Sequence, residues 1–233
     1  MISVTVIIPV FNEKNTILTI LKKIEKVKKT IESINLEIIL INDGSTDGTK
    51  KIIEDNSDYL DKIIHLDKNF GKGKAVIEGL KNSNNDYVFF QDADLEYDPE
   101  DLEKFVKIVQ TKQADIVMGS RFIGNSRSVL HFWHMLGNKF ITHLFNLLNN
   151  TTFSDIYCCY CLFKKDNLSI NNLKSYGWGQ QAEILTNLCR NSKKIHEISV
   201  NYDARKYSEG KKIKYFHVFE IVYWIVKSKI SIN

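Results

Sequence analysis

Val4-Thr5-Val6-Ile7-Ile8-Pro9-Val10 opens the chain with a run that carries one polar side chain. Such a run marks a strand covered on both faces, because a strand with one wet face would alternate between apolar and polar residues. Segments of similar strand character return at Leu36–Ile41, Lys62–Leu66, Tyr87–Gln91 and Asp115–Gly119. Between them lie stretches with helical spacing. Asn15–Lys29 sets Ile17, Leu18, Leu21, Ile24 and Val27 along a helix; Asp47–Asp55 restarts behind a Ser-Thr-Asp cap; Gly73–Lys81 follows, then Pro99–Gln110 with proline in its first turn. The alternation predicts an α/β fold, a mostly parallel sheet flanked by helices. After residue 120 the pattern loosens: an amphipathic helix over Leu130–Leu148, a strand over Ile156–Phe163, a helix over Gln180–Asn191, a strand over Ile195–Tyr202, and a C-terminal apolar helix with a narrow polar stripe over Lys214–Lys229.

The 233 residues are 43% apolar and 26% charged, a globular composition with enough chain for a sizeable core. Two prolines, no repeat and no low-complexity tract give no linker, so residues 1–233 read as a single domain. The net charge of +4 is unevenly placed: residues 193–233 sum to +5 and the rest to −1. An excess confined to one tail argues against a nucleic-acid coat, and no nucleic-acid partner is expected. No run of 18 apolar residues exists, so no membrane-spanning helix is expected. The N-terminus enters its first strand without a basic leader, and Cys158, Cys159, Cys161 and Cys189 make neither a CxxC pair nor a zinc spacing. The reading is a reduced, cytoplasmic protein with free thiols.

In a parallel sheet ligands bind beyond the carboxyl ends of the strands, so the residues that follow strands are the ones to read. Strand two runs into Asn42-Asp43-Gly44-Ser45-Thr46-Asp47-Gly48, a tight glycine turn before a helix N-terminus, where an acid can accept hydrogen bonds from a base or ribose. Strand four runs into Gln91-Asp92-Ala93-Asp94-Leu95-Glu96. If the strand continues, Asp92 and Asp94 share one face and repel each other unless a cation lies between them; hard oxygen ligands suit Mg²⁺ or Mn²⁺. Asn69-Phe70-Gly71-Lys72-Gly73-Lys74 suits a phosphate or a sugar-nucleotide edge but lacks Walker A spacing.

These segments, with Val6–Glu13, Gly119-Ser120-Arg121-Phe122, Leu136-Gly137-Asn138-Lys139, Ser154-Asp155, Tyr202-x-x-Arg205 and Glu209-Gly210-Lys211-Lys212, resemble family-2 glycosyltransferases of the GT-A fold, in particular the dolichol- or polyprenyl-phosphate sugar transferases. The resemblance covers nearly the whole chain and implies a nucleotide-sugar half over about residues 1–120 and an acceptor half with its tail over about 121–233. It implies that Pro9, Asn12, Glu13, Asp43, Lys72, Asp92 and Ala93 line the donor pocket and that Asp92, Asp94 and Glu96 hold Mg²⁺ or Mn²⁺. Asp94, Asp155, Arg121, Arg205 and Lys211 become the catalytic candidates, the last two as a phosphate clamp. The activity implied is inverting transfer of a hexose from GDP-mannose or UDP-glucose to a polyprenyl phosphate. Transfer to a sugar hydroxyl is the alternative, and a nucleotide-sugar-binding protein without activity is the contrasting class.

The two acceptors differ chemically. A lipid phosphate is already ionised near neutral pH, whereas a hydroxyl needs a general base, for which Asp155 and Glu183 are the candidates. Only four of the 32 basic residues are Arg: Arg121, Arg127, Arg190 and Arg205. Arg offers planar bidentate contact to phosphate, which singles out Arg121 and Arg205, with Arg127 open; Arg190 reads as a surface ion pair. The sequence departs from the family's habit at Gln181-Ala182-Glu183, where relatives often carry an acid before the glutamate, and at Cys161, where a basic residue is common. The aromatic faces of Leu130–Leu148 and Lys214–Lys229, flanked by lysines, suit a membrane surface, a membrane partner protein or the protein's own core, and imply a peripheral position at the inner membrane face.

Overall fold

The computed structural model describes residues 1–124, 132–204 and 217–230. Seven strands form one sheet: β1 (Ile2–Val10), β2 (Ile34–Asn42), β3 (Lys62–His65), β4 (Tyr87–Phe90), β5 (Ile116–Ser120), β6 (Cys161–Lys164) and β7 (Ile195–Ser199). Their order is β3-β2-β1-β4-β6-β5-β7. All pairs are parallel except those of β6, which runs antiparallel to both β4 and β5. The helices are α1 (Ile17–Thr30), α2 (Thr49–Glu54), α3 (Lys72–Asn82), α4 (Leu102–Lys112), α5 (Phe132–Asn149), α6 (Gln180–Asn191) and α7 (His217–Ile230).

The opening run is central, as its composition demands: β1 lies between β2 and β4, and Val4 to Val10 are all buried. Its two faces meet different helices. Val6 pairs in register with Phe89, whose ring packs edge-on against Phe105 of α4 at 5.3 Å. On the other face Ile7 and Ile41 close over Gly79 of α3; a Cβ there would lie 2.5 Å from Ile7, so the glycine is what lets the helix sit down on the sheet.

Two expectations change. The stretch Ile156–Phe163 is a strand only from Cys161; residues 156–160 are irregular and, apart from a half-buried Tyr157, buried. Side chains hold that backbone instead of a ladder: Cys159 N–H donates to the Tyr97 hydroxyl at 3.3 Å and Tyr157 N–H to Asp155 at 3.2 Å. The strand begun at Ile195 ends at Ser199, and Tyr202 joins Tyr97 in an isolated bridge. Arg190 is also more than a surface residue: its guanidinium donates to the Lys229 carbonyl at 2.5 Å, tying the end of α6 to the C-terminal turn of α7, where a cation suits the helix dipole. No helix among the described residues is long and apolar enough to cross a membrane.

Candidate active site

The carboxyl ends of β1, β2 and β4 meet at the point where the strand order reverses, and β6, running the other way, brings its first residues to the same edge. The exits of β1 and β2 are knitted together. Asn12 takes a positive φ of 52°, donates its N–H to Ser45 Oγ at 3.0 Å and accepts Thr46 N–H on Oδ1 at 2.8 Å. Glu13, nearly buried, donates its N–H to Thr49 Oγ1 at 2.9 Å and accepts the Thr16 hydroxyl at 2.9 Å. Pro9 is buried in β1. Asp47 caps α2: burial alone would raise its pKa, but the Thr49 hydroxyl and N–H and the Lys14 N–H hold it below the ordinary carboxylate range. Asn12 and Glu13 thus stand at the sheet's carboxyl edge, with these polar atoms engaged inside the protein.

Asp43 makes a sharper case. It is 3% exposed, and its two oxygens accept the N–H groups of Phe70 at 2.8 Å and Gly71 at 2.9 Å. The anion that the start of α3 favours is therefore the protein's own Asp43. Gly44, at φ +67°, lies so close to the Lys68 backbone that a Cβ would collide with it, and Gly73 donates its N–H to the Tyr176 carbonyl at 2.8 Å. The glycine loop expected to offer N–H groups to a phosphate has those of Phe70, Gly71 and Gly73 occupied from within. What it presents is the ammonium of Lys72.

Lys72 Nζ lies 2.5 Å from Asp92 Oδ1 and 3.7 Å from Cys159 Sγ. Burial works against its charge, but Asp92, with Cys159 and Asp94, outweighs that and leaves its pKa above the usual lysine value. The D-x-D is not a continued strand. β4 ends at Phe90, Asp94 Oδ1 accepts Glu96 N–H at 3.1 Å, and the chain turns, with Ala93 buried beneath it. Glu96, expected as a third metal ligand, instead accepts the Tyr202 hydroxyl at 3.0 Å. Among the described residues no three His, Cys, Asp or Glu side chains converge on one metal position. Asp92 and Asp94 fit a divalent cation by donor chemistry, as two hard carboxylates of a set that a ligand's oxygens would complete.

Arg121 follows β5 and forms a two-pronged pair with Asp155: Nε to Oδ2 at 2.7 Å and Nη2 to Oδ1 at 2.9 Å. The Arg121 side chain is 11% exposed and that of Asp155 0%. Burial opposes the guanidinium's charge, but Asp155 more than offsets it and raises its pKa. The guanidinium carbon sits 5.2 Å from the Tyr202 ring and 5.7 Å from Phe122. Glu197, whose pKa burial raises, receives the N–H groups of Ser154 and Asp155 and so fixes the pair from behind. Asp155, expected as a possible base, has both oxygens on Arg121. Glu183 accepts the N–H groups of Lys174 and Ser175. Both carboxylates are engaged inside the protein. Arg127, Arg205, Lys211 and Lys212 lie outside the described residues.

The family model for glycosyl transferase family 2 matches residues 5–169, which contain Asp43, Lys72, Asp92, Asp94, Arg121 and Asp155. The chain belongs to that family. The family-2 chain is 34% identical to the dolichol-phosphate mannosyltransferase of Pyrococcus furiosus over 121 residues, 52% of this chain and 33% of that one. It is 26% identical to the undecaprenyl-phosphate 4-deoxy-4-formamido-L-arabinose transferase of Proteus mirabilis over 211 residues, 89% of this chain and 62% of that one. It therefore spans less than two thirds of either relative. The GT-A fold is shared with glucosyl-3-phosphoglycerate synthase of Mycobacterium tuberculosis, solved with Mn²⁺, UDP and glucosyl-3-phosphoglycerate: TM-score 0.69, 17% identity, covering 99% of this chain and 81% of that one.

Tyr202 and Glu197 escaped sequence reading as site residues. Tyr202 stood in the quoted Tyr-x-x-Arg pattern, which could have flagged it; a lone Glu in a strand carries no signal.

Proposed function

We propose that this family-2 glycosyltransferase moves a hexose from a nucleoside-diphosphate sugar, GDP-mannose or UDP-glucose, to the phosphate of a polyprenyl phosphate with inversion. One observation carries the choice of acceptor: the two candidate bases, Asp155 and Glu183, are both engaged, so the site favours an acceptor oxygen that is already ionised. Lys72 and Arg121 supply fixed positive charge where the leaving diphosphate gathers negative charge. Asp92 and Asp94 would hold Mg²⁺ or Mn²⁺, which neutralises phosphate charge when bound. The relatives named for dolichol- and undecaprenyl-phosphate transfer support the same reading.

A lipid acceptor requires a membrane, and two helices offer a surface for one. α5 exposes Phe132, Trp133, Leu136, Phe140 and Leu147, and α7, packed beside it, exposes Phe219, Tyr223, Val226 and Ile230. α5 contains no acid, and the single acid of α7, Glu220, turns inward to Gly179. Lys139, Lys227 and Lys229 leave the pair basic, with Lys227 Nζ 4.4 Å from the Trp224 ring. Aromatics and lysines without outward acids match an anionic bilayer, which supports a peripheral position at the cytoplasmic face.

The test is a panel of radiolabelled UDP- and GDP-sugars with purified protein, with and without polyprenyl phosphate. Label in the organic extract is the expected result; label only on a soluble glycan would establish the hydroxyl acceptor, and no transfer with any donor would favour a binding protein. Flotation with vesicles containing phosphatidylserine, and none with phosphatidylcholine vesicles, is expected for the α5–α7 surface; equal recovery with both would remove the charge argument.

A further inference from the structure

The irregular segment Lys174–Gly179, between β6 and α6, is a strap that touches three elements. At one end Glu183 of α6, 6% exposed, accepts the N–H of Lys174 at 3.0 Å and of Ser175 at 2.8 Å. In the middle the strap backbone lies directly on the start of α3. The Tyr176 carbonyl accepts Gly73 N–H at 2.8 Å, and a Cβ on Gly71 would come within 2.6 Å of the same oxygen. Lys74 Nζ stands 5.4 Å from the Tyr176 ring. At the other end the strap meets α7. Glu220 Oε1 accepts Gly179 N–H at 3.3 Å, and side chains on Gly177 and Gly179 would collide with Glu220 and Trp224 respectively. Trp178 stacks on His217 at 5.2 Å, and its carbonyl accepts the Tyr157 hydroxyl at 3.0 Å.

We propose that Glu220 is a positioning residue for the donor site: it sets the strap, the strap sets the first turn of α3, and that turn carries Lys72 to Asp92. The inference rests on the donor-site reading above. Its physical warrant is contiguity without slack. Backbone meets backbone at Gly71 and Gly73, and at Gly177 and Gly179 the Glu220 carboxylate and the Trp224 side chain lie directly on the strap backbone, so little space is left to absorb a shift at either end. A carboxylate turned in toward the strap costs desolvation, which its contact with the Gly179 N–H offsets. The outer face of α7 is the apolar surface described above, so the same helix links that surface to the donor loop.

The test uses the full chain with Glu220→Gln and Glu220→Ala. The Gln side chain can still accept from Gly179; Ala cannot. Amide hydrogen exchange is read over residues 70–75, which needs no ligand, and over the β5–β7 pairing as a distant control. Glu220→Ala is expected to speed exchange over 70–75 by about 10-fold, with Gln between the two and the control unchanged. Mn²⁺-UDP and Mn²⁺-GDP are then titrated by calorimetry. The Kd of the nucleotide that binds is expected to rise about 10-fold in Glu220→Ala, with kcat at saturating donor within about 2-fold of the parent. Wild-type exchange over 70–75 in a folded Glu220→Ala protein would overturn the proposal. Faster exchange with an unchanged Kd would overturn the donor-site role while leaving the strap contact standing. Binding of neither nucleotide by the parent chain would remove the donor-site reading and this role with it. Should Glu220→Ala fail to fold, Trp224→Leu loosens the same end of the strap and is read in the same way.

Discussion

Lys72 Nζ and Asp92 Oδ1 stand 2.5 Å apart at the sheet's carboxyl edge, joining the glycine loop to the D-x-D turn. Each charge is held in place by the other. Lys72→Met is expected to lower kcat/KM by about 10²–10³-fold, the scale of losing one charge aimed at a developing anion. It should also leave Asp92 without this partner, so that Lys72→Met with Asp92→Asn costs less than the sum of the two singles. Steady-state kinetics of the double-mutant cycle reads the coupling, and strict additivity would show that the pair does not act together.

Asp94 and Glu96 should part company. Asp94→Ala is expected to abolish turnover and its response to Mn²⁺. Glu96→Gln, which keeps an acceptor for the Tyr202 hydroxyl, should retain metal-dependent activity within about 10-fold of the parent. Titrating Mn²⁺ into metal-stripped enzyme distinguishes them; an equal loss of Mn²⁺ dependence in both would return Glu96 to the metal site.

Arg121→Ala leaves Asp155 buried without its partner. The expected cost is about 3–5 kcal/mol of folding stability, read from urea denaturation. Arg121→Lys keeps the charge but not the fork, and should lose activity even where it folds. A stability change under about 1 kcal/mol in Arg121→Ala would mean that the pair is solvated in solution.

Asp115 joins three strands at their other end. It accepts the N–H groups of Lys193 at 2.9 Å and Lys194 at 3.0 Å and pairs with Lys164 at 3.0 Å. Burial would raise its pKa, but the two N–H groups and Lys164 outweigh that and bring it to about 2. Because the folded value lies below the unfolded one, its contribution is complete above about pH 4 and is lost as the pH falls toward 2, on the order of 2 kcal/mol in total. Asp115→Asn should therefore be less stable than the parent at pH 7 and close to it near pH 2, with the gap measured by urea melts across that range.

The sheet was legible from its apolar runs because burial on both faces leaves a composition that survives without any partner in view; β1 and β2 came out within two residues at each end. β6 was not. Its four residues sit between β4 and β5 against the parallel grain, and nothing local records which neighbour a short apolar strand will choose. The irregular stretch before it was mistaken for strand because burial there comes from side-chain anchors, Tyr97 and Asp155, far away in sequence or set in a turn. The site shows the same division. Asp43, Lys72 and Asp92 were singled out by type and position after strands, and Arg121 came with the family resemblance, but their partners were not legible. Whether Asp155 is a base or a buried counter-ion depends on Arg121, 34 residues away, a relation that spacing alone does not contain.

Asp43 gives the donor loop a further property. Its carboxylate binds the amides of Phe70 and Gly71, so a contact inside the protein fixes the loop's shape. On the proposed donor reading, a nucleotide would meet a surface whose ordering entropy was lost at folding, and its association is expected to proceed as a rigid-body event: fast, with a small heat-capacity change, and governed by the charges of Lys72 and Asp92 rather than by loop closure.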